Sequence, residues 1–161
     1  RYFIYTGGRG SGKSYAVAGA LVYMSLTQNQ TILFTRFTLR SASISIIPEF
    51  KDKLETMGIS HWFKITRDEI INTITGSKIL FRGIKTSSGD QTANLKSLQG
   101  ITTWVMDEAE ELVDESIFDK IDLSVREKPA SAVAIGSKLT PSIVPIAFSK
   151  SVEFTKSYTL V

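Results

Sequence analysis

Gly7-Gly8-Arg9-Gly10-Ser11-Gly12-Lys13-Ser14 is the stretch that decides the reading of this chain. Its eight residues fit the spacing G-x-x-x-x-G-K-[ST] without a mismatch. Upstream, Arg1–Thr6 reads as a short buried strand carrying Tyr2, Phe3, Ile4 and Tyr5. Downstream, 14–26 reads as a helix that is apolar nearly all round, and so as a buried one. A strand, a glycine-rich turn and a helix start in that order make an anion cradle. Glycines let the backbone curl until successive N–H groups point at one spot, and the free N–H groups and dipole of the helix start add to them.

The chemistry of a nucleotide triphosphate fits that cradle. Lys13 would reach the β- and γ-phosphates as a point charge, and the Ser14 hydroxyl would ligate Mg²⁺. The nucleotide-binding set therefore runs through Gly7, Gly8, Arg9, Gly10, Ser11, Gly12, Lys13, Ser14 and Tyr15, with ATP and Mg²⁺ as the expected ligands. A second half of the site reads from Thr102-Thr103-Trp104-Val105-Met106-Asp107-Glu108. An apolar strand ending in two carboxylates places them where α/β sheets bind ligands. Asp107 would hold Mg²⁺ through its water shell, and Glu108 would polarise an attacking water, which implies hydrolysis. The competing reading is that both simply open the acidic run through Glu110, Glu111, Asp114 and Glu115. Arg9 has two readings as well: a guanidinium that reaches the γ-phosphate in cis, or an exposed variable loop residue.

Composition bounds the rest. The 161 residues are the size of one domain, and 42% apolar with 22% charged residues fits a folded chain. Absence of cysteine excludes disulfides, thiolate metal sites and a Cys nucleophile, and the single histidine, His61, argues against a His-based site. No apolar run is long enough to span a membrane, and no leader is expected ahead of the opening strand pattern. The net charge of +3 hides a split: residues 1–100 carry 13 Lys/Arg against 6 Asp/Glu, whereas 101–130 carry 3 against 9. A basic body suits a polyanionic partner, and equally suits ordinary solvated faces.

Strands and helices alternate along the chain. After 31–37, a β-rich run, Pro48 and Gly58 bracket a helix with Phe50, Leu54 and Met57 on one face. Residues 62–74 and 77–82 read as two strands joined through Thr75-Gly76. Residues 83–100 read as a long polar loop, 101–106 as a buried strand, and a helix capped by Asp114 turns Ile117, Phe118, Ile121 and Val125 inward. A strand at 130–136 and two further β-branched runs at 143–148 and 152–161 follow. This order predicts a three-layer α/β domain over 1–161, its sheet mostly parallel, with the 62–82 hairpin added antiparallel at one edge.

The loop Gly-Gly-Arg-Gly-Ser-Gly-Lys-Ser, the runs Phe34-Thr35-Arg36 and Leu39-Arg40-Ser41, and Asn94-Leu95-Lys96-Ser97 ahead of a Trp-containing strand ending Asp-Glu-Ala-Glu-Glu-Leu together resemble the large terminase subunit of tailed bacteriophages, in its PBSX-like branch. The likeness runs from Tyr2 to Lys128. It implies an ATPase that drives double-stranded DNA into a viral capsid, in the host cytoplasm. It also implies an additional-strand P-loop fold and a cis arginine finger at Arg9. A portal protein, a small terminase subunit and a homo-oligomeric ring are the partners it implies. The family's Gln-containing adenine segment lies upstream of the phosphate loop, and only six residues precede Gly7, so the chain reads as a fragment. Its nuclease domain has no room here, and no nuclease activity is expected. Gly136-Ser137-Lys138 stands where the family's coupling motif falls and matches it poorly.

Other residues carry open alternatives. Arg36 and Arg40 either face nucleotide or DNA or are solvated loop cations. Arg82, Lys85 and Lys96 are candidates for DNA backbone contact, or an ordinary basic loop. Trp62 and Trp104 are expected in the core, His61 in a structural role, and the acids of 110–122 on a solvated helix face. A helicase-like ATPase with a DExx box, and a nucleotide switch with little turnover, stand as alternative functions. The first lacks room for a second lobe, and the second lacks an Asn-Lys-x-Asp guanine motif.

Overall fold

The computed structural model describes residues 2–8, 10–84, 100–112, 115–125 and 131–136. In chain order these form β1 (Tyr2–Thr6), α1 (Lys13–Thr27), β2 (Thr31–Arg36), α2 (Leu39–Ser41), a π-turn (Ala42–Ile46), α3 (Ile47–Thr56), β3 (Phe63–Ile65) and β4 (Glu69–Asn72). There follow β5 (Lys78–Gly83), β6 (Thr103–Met106), α4 (Glu115–Val125) and β7 (Ser131–Gly136), with 3₁₀ turns at Ser60–Trp62 and Ala109–Glu111.

The strands make one sheet in the order β1-β7-β6-β2-β5-β4-β3. Pairings from β1 across to β5 are parallel, and β5–β4 and β4–β3 are antiparallel. The mostly parallel sheet with an antiparallel addition at one edge is thus present. β7 lies between β1 and β6, so an additional strand separates the strand that feeds the glycine loop from the strand that ends at Asp107.

Alternation along the strands builds two cores, because successive side chains point to opposite faces. Ile32, Phe34, Ile79, Phe81 and Val105 pack with Val17, Leu21 and Val22 of α1 and Phe50 and Leu54 of α3. The rings of Phe34, Phe50 and Phe81 meet at 5.6 to 6.2 Å. The alternate residues Leu33, Leu80, Trp104 and Met106 pack with Phe118 and Ile121 of α4. Helices cover both faces, which accounts for the near-continuous burial of β2 and β6. A buried hydroxyl fixes these two strands in register: the Trp104 indole donates to Thr35 Oγ1 (2.9 Å), and that hydroxyl donates to the Val105 carbonyl (3.0 Å).

The far end of α1 is pinned by the β4–β5 turn. Asn72 Nδ2 and Thr75 Oγ1 donate to the Ser25 carbonyl (3.1 and 2.6 Å), and Ser77 Oγ donates to that of Gln28 (2.8 Å). Carbonyls that a helix end leaves without partners are satisfied there, which holds the helix whose other end opens on the glycine loop.

Several expectations change in the fold. β1 is only half-covered, with Phe3 40% and Tyr5 47% exposed, because β7 is its single described neighbour. α1 buries one face only: Tyr15 and Tyr23 stand in solvent. Met57 lies past the end of α3, at its C-cap, and leaves the buried face. Residues 62–74 are two strands, broken where Thr66 Oγ1 accepts from the Glu69 N–H (3.2 Å) and closes a tight turn over Arg67-Asp68. Trp104 is core, but Trp62 sits in a 3₁₀ turn, 37% exposed and edge-on to His61. Asp122 is buried on α4 and is no part of a solvated face. Arg9, Lys85, Lys96, Asp114, the segment 94–97, Ser137 and the runs 143–148 and 152–161 lie outside the described residues.

Candidate nucleotide site

Parallel pairing brings the ends of four strands to one edge of the sheet. Thr6 pairs with Gly136, Met106 with Ala134, and Thr35 with Met106, so the chain leaves β1, β7, β6 and β2 side by side. The glycine loop therefore opens on the same edge as Asp107 and Glu108.

In the loop, Gly10 and Gly12 hold φ near +79° and +77°, a region that costs a side chain dearly. A Cβ added at Gly8, Gly10 or Gly12 would meet nothing within 4 Å, so the loop encloses open space on that side. Lys13 opens α1 and folds over its own loop, donating to the carbonyls of Gly7 (2.6 Å) and Gly8 (3.0 Å) and to Ser11 Oγ (3.1 Å). Ser14 follows it, half-buried, in the first turn. Tyr15 lies over Lys53 of α3, whose Nζ sits 2.9 Å from the ring centroid. Lys53 is itself buried.

At the end of β6 the chain turns sharply. Asp107 stays in the sheet register, its N–H donating to the Thr35 carbonyl (2.9 Å). Glu108 then takes φ 52° and ψ 46°, a left-handed conformation rare outside glycine, and it is the only described non-glycine residue with positive φ. Such strain clusters at functional sites, where neighbours over-determine the backbone. Burial pushes the Asp107 carboxyl up to about 6, against the opposing pull of Arg36. Burial also raises Glu111, and the nearby Glu108 adds to it.

Arg36 ends β2 beside these acids. Its Nε donates to Glu108 Oε2 (2.8 Å) and its Nη2 to Glu108 Oε1, a two-pronged pair, while Nε lies 3.6 Å from Asp107 Oδ2. Its Nη1 donates to Ser45 Oγ. Desolvation pulls the guanidinium down, but Glu108 and Asp107 outweigh it and hold Arg36 above its ordinary value. Sequence reading left Arg36 facing nucleotide, DNA or solvent, and the fold turns it onto the two carboxylates. The signal that could have found it is the strand order, since β2 flanks β6 only once β7 is placed on the other side. Ser45 was missed outright. Arg40 is exposed, and Arg82 is tied by Nη1 to the Phe81 carbonyl (2.7 Å) and Asp68 Oδ2 (3.3 Å).

A glycine-rich loop between a parallel strand and a helix, with two carboxylates on the same sheet edge beyond one inserted strand, defines a P-loop nucleoside triphosphatase fold of the additional-strand type. The chain belongs to the phage terminase large subunit family, whose model matches residues 1–147. It is 24% identical over 122 residues to the large terminase subunit of Bacillus phage SPP1, covering 71% of this chain and 28% of that protein. Among solved structures it resembles the HK97 bacteriophage large terminase (TM-score 0.69, 14% identity, 94% of this chain and 32% of that one). It also resembles the N-terminal domain of the DNA packaging ATPase from bacteriophage phi29 (TM-score 0.61, 14% identity, 99% of this chain and 84% of that one). At such identities the structural likeness is one of fold. Among the described residues no helix is long and apolar enough to cross a membrane.

Proposed function

We propose that this chain is the ATPase module of a DNA-packaging motor: it hydrolyses ATP and drives double-stranded DNA into a viral capsid in the host cytoplasm. The observation that carries the reading is the strained, ion-paired Glu108 directly after buried Asp107, on the edge where the glycine loop opens. Membership of the terminase large subunit family and the likeness to a packaging ATPase support it. Double-stranded DNA, a portal protein, a small subunit and a ring of copies are the partners that fit.

The donors suit Mg²⁺, a hard cation that takes few protein oxygens beside the nucleotide's own. Ser14 Oγ and the Asp107 carboxylate would hold it, the latter through water, and the burial that raises Asp107 is the cost a cation would offset. When bound, the ion neutralises charge on the β- and γ-phosphates. Lys13 exchanges its loop carbonyls for phosphate oxygens, which as anions are the stronger acceptors. Arg9 fits the role of a cation that offsets charge growing on the γ-phosphate. Glu108 turns from Arg36 to a water and takes its proton as that water attacks. Because Arg36 forks both carboxylate oxygens, opening the fork is the motion that turns Glu108 towards that water.

Steady-state ATP turnover tests the reading, in wild type and in Glu108→Gln and Arg9→Ala. Both variants should keep nucleotide affinity and lose about 100-fold or more in turnover. Hydrolysis by both at the wild-type rate would sink the assignment. Arg82, Lys85 and Lys96 remain candidates for DNA contact, and translocation by the full-length protein that survives their loss removes them.

A further inference from the structure

Arg36 donates to Glu108 through Nε and Nη2 and to Ser45 Oγ through Nη1. Ser45 is exposed and sits inside the π-turn Ala42–Ile46, wound between the α-helical segments Leu39–Ser41 and Ile47–Thr56. A π-turn carries one extra residue with poorer hydrogen bonds, and such turns are found mostly where they serve a site. Rewinding it to α geometry would swing Ser45 by roughly 100° about the helix axis, away from the guanidinium. Both flanks resist that. Ile46 and Ile47 are buried behind the turn, and at its other end the chain at Leu39 lies against Gly83, which pairs with Arg36 itself.

We infer that Ser45 is a positioning residue for the reaction: by accepting from Nη1 it fixes the orientation in which Nε and Nη2 fork Glu108, and so keeps that carboxylate from turning to water. The inference rests on the ATPase reading. Glu108 leaves a guanidinium that Ser45 also holds less readily than one that Ser45 has released, since rotation about the Arg36 side chain is the motion that opens the fork.

The test is steady-state ATP turnover by the full-length protein, with Ser45→Ala, Ser45→Thr and Glu108→Gln compared with wild type. Ser45→Ala should raise kcat about 2- to 5-fold with KM for ATP unchanged, the low end of what one hydrogen bond contributes, because Ser45 is exposed and water competes for the guanidinium. Ser45→Thr, which keeps the hydroxyl, should behave as wild type. On an Arg36→Gln background, Ser45→Ala should add nothing. A merely structural role would lower kcat and the unfolding midpoint together and would persist on that background. The inference is overturned by a kcat at or below wild type in folded Ser45→Ala, or by an effect that survives Arg36→Gln. Full turnover by Glu108→Gln sinks the role of Glu108 and the inference with it, and absence of ATP turnover in wild type sinks the ATPase reading, whereas an inactive Glu108→Gln beside an unchanged Ser45→Ala sinks the Ser45 role alone.

Discussion

Arg36 and Glu108, 72 positions apart in the chain, close a two-pronged ion pair at the edge of the sheet. The Arg36 side chain is 13% exposed and that of Glu108 38%, so water screens the pair only in part. It compensates a local excess of acid, since Asp107 and Glu111 also crowd the guanidinium.

Replacing Arg36 with Ala should therefore destabilise the nucleotide-free protein at neutral pH. Half-buried pairs fall between exposed and fully buried ones, so a loss of about 1–3 kcal/mol is expected in urea unfolding. Without Arg36 the Asp107 carboxyl rises further, because the cation is what pulls it down. The deficit should then shrink as pH falls towards about 6, where the variant's Asp107 takes its proton before that of wild type, and level off below it. A deficit that is flat from pH 5 to 8 would show that Asp107 is not the group Arg36 compensates.

Asp107 should itself cost stability. Its carboxyl is raised from 3.8 to about 6, burial being the main cause. Between those values the folded protein binds a proton that the unfolded chain does not, so stability falls as pH rises and the full cost is present above about 6. The shift corresponds to about 3 kcal/mol. Asp107→Asn should remove that slope and unfold at a higher temperature than wild type at neutral pH, while losing Mg²⁺-dependent nucleotide binding. Mg²⁺-dependent binding to wild type should weaken below about pH 6, because the ligand must be ionised.

Gly83 is a position where a methyl group has no room. A Cβ there would lie 2.5 Å from the Leu39 amide nitrogen and 3.1 Å from the Thr38 carbonyl carbon, backbone that cannot rotate aside. Gly83→Ala should lose about 1–3 kcal/mol of stability through overpacking. It should also shift the helical run that carries Ser45, and thus alter turnover by a residue far outside the glycine loop. Wild-type unfolding and kinetics in this variant would refute the packing argument.

Asn72 is the control at the opposite end of α1. Its Nδ2 donates to Ser25 and its Oδ1 accepts from the N–H groups of Ile74 (2.9 Å) and Thr75 (3.2 Å), with the residue 1% exposed. Asn72→Ala takes the Oδ1 acceptor from the part-buried N–H groups of Ile74 and Thr75, while the Ser25 carbonyl keeps Thr75 Oγ1, and should cost about 1–3 kcal/mol. KM for ATP should stay unchanged. A changed KM with intact stability would mean that the helix end communicates with the loop by some route other than folding.

How much of this was legible in the chain depends on sequence distance. The glycine loop is contiguous, and its curl follows from the absence of Cβ atoms at named positions. Pro48 and Gly58 bracket α3 where local rules place them, with Pro in the first helical turn and Gly at φ +70° just past the end. Trp62 misled, because an aromatic residue reports that it is apolar and not whether a neighbour arrives to cover it. The same limit applies to Phe3 and Tyr5.

By itself the sequence determined the glycine loop, the strand that ends in Asp107-Glu108 and the alternation of strands with helices, because each is written in adjacent residues whose backbone preferences act locally. Tertiary structure decided which strands became neighbours. Only with β7 inserted beside β1, and β2 laid against β6, does Arg36 come to grip Glu108 and Ser45 to grip Arg36. Those contacts depend on packing summed over both faces of the sheet, and no spacing along the chain encodes them.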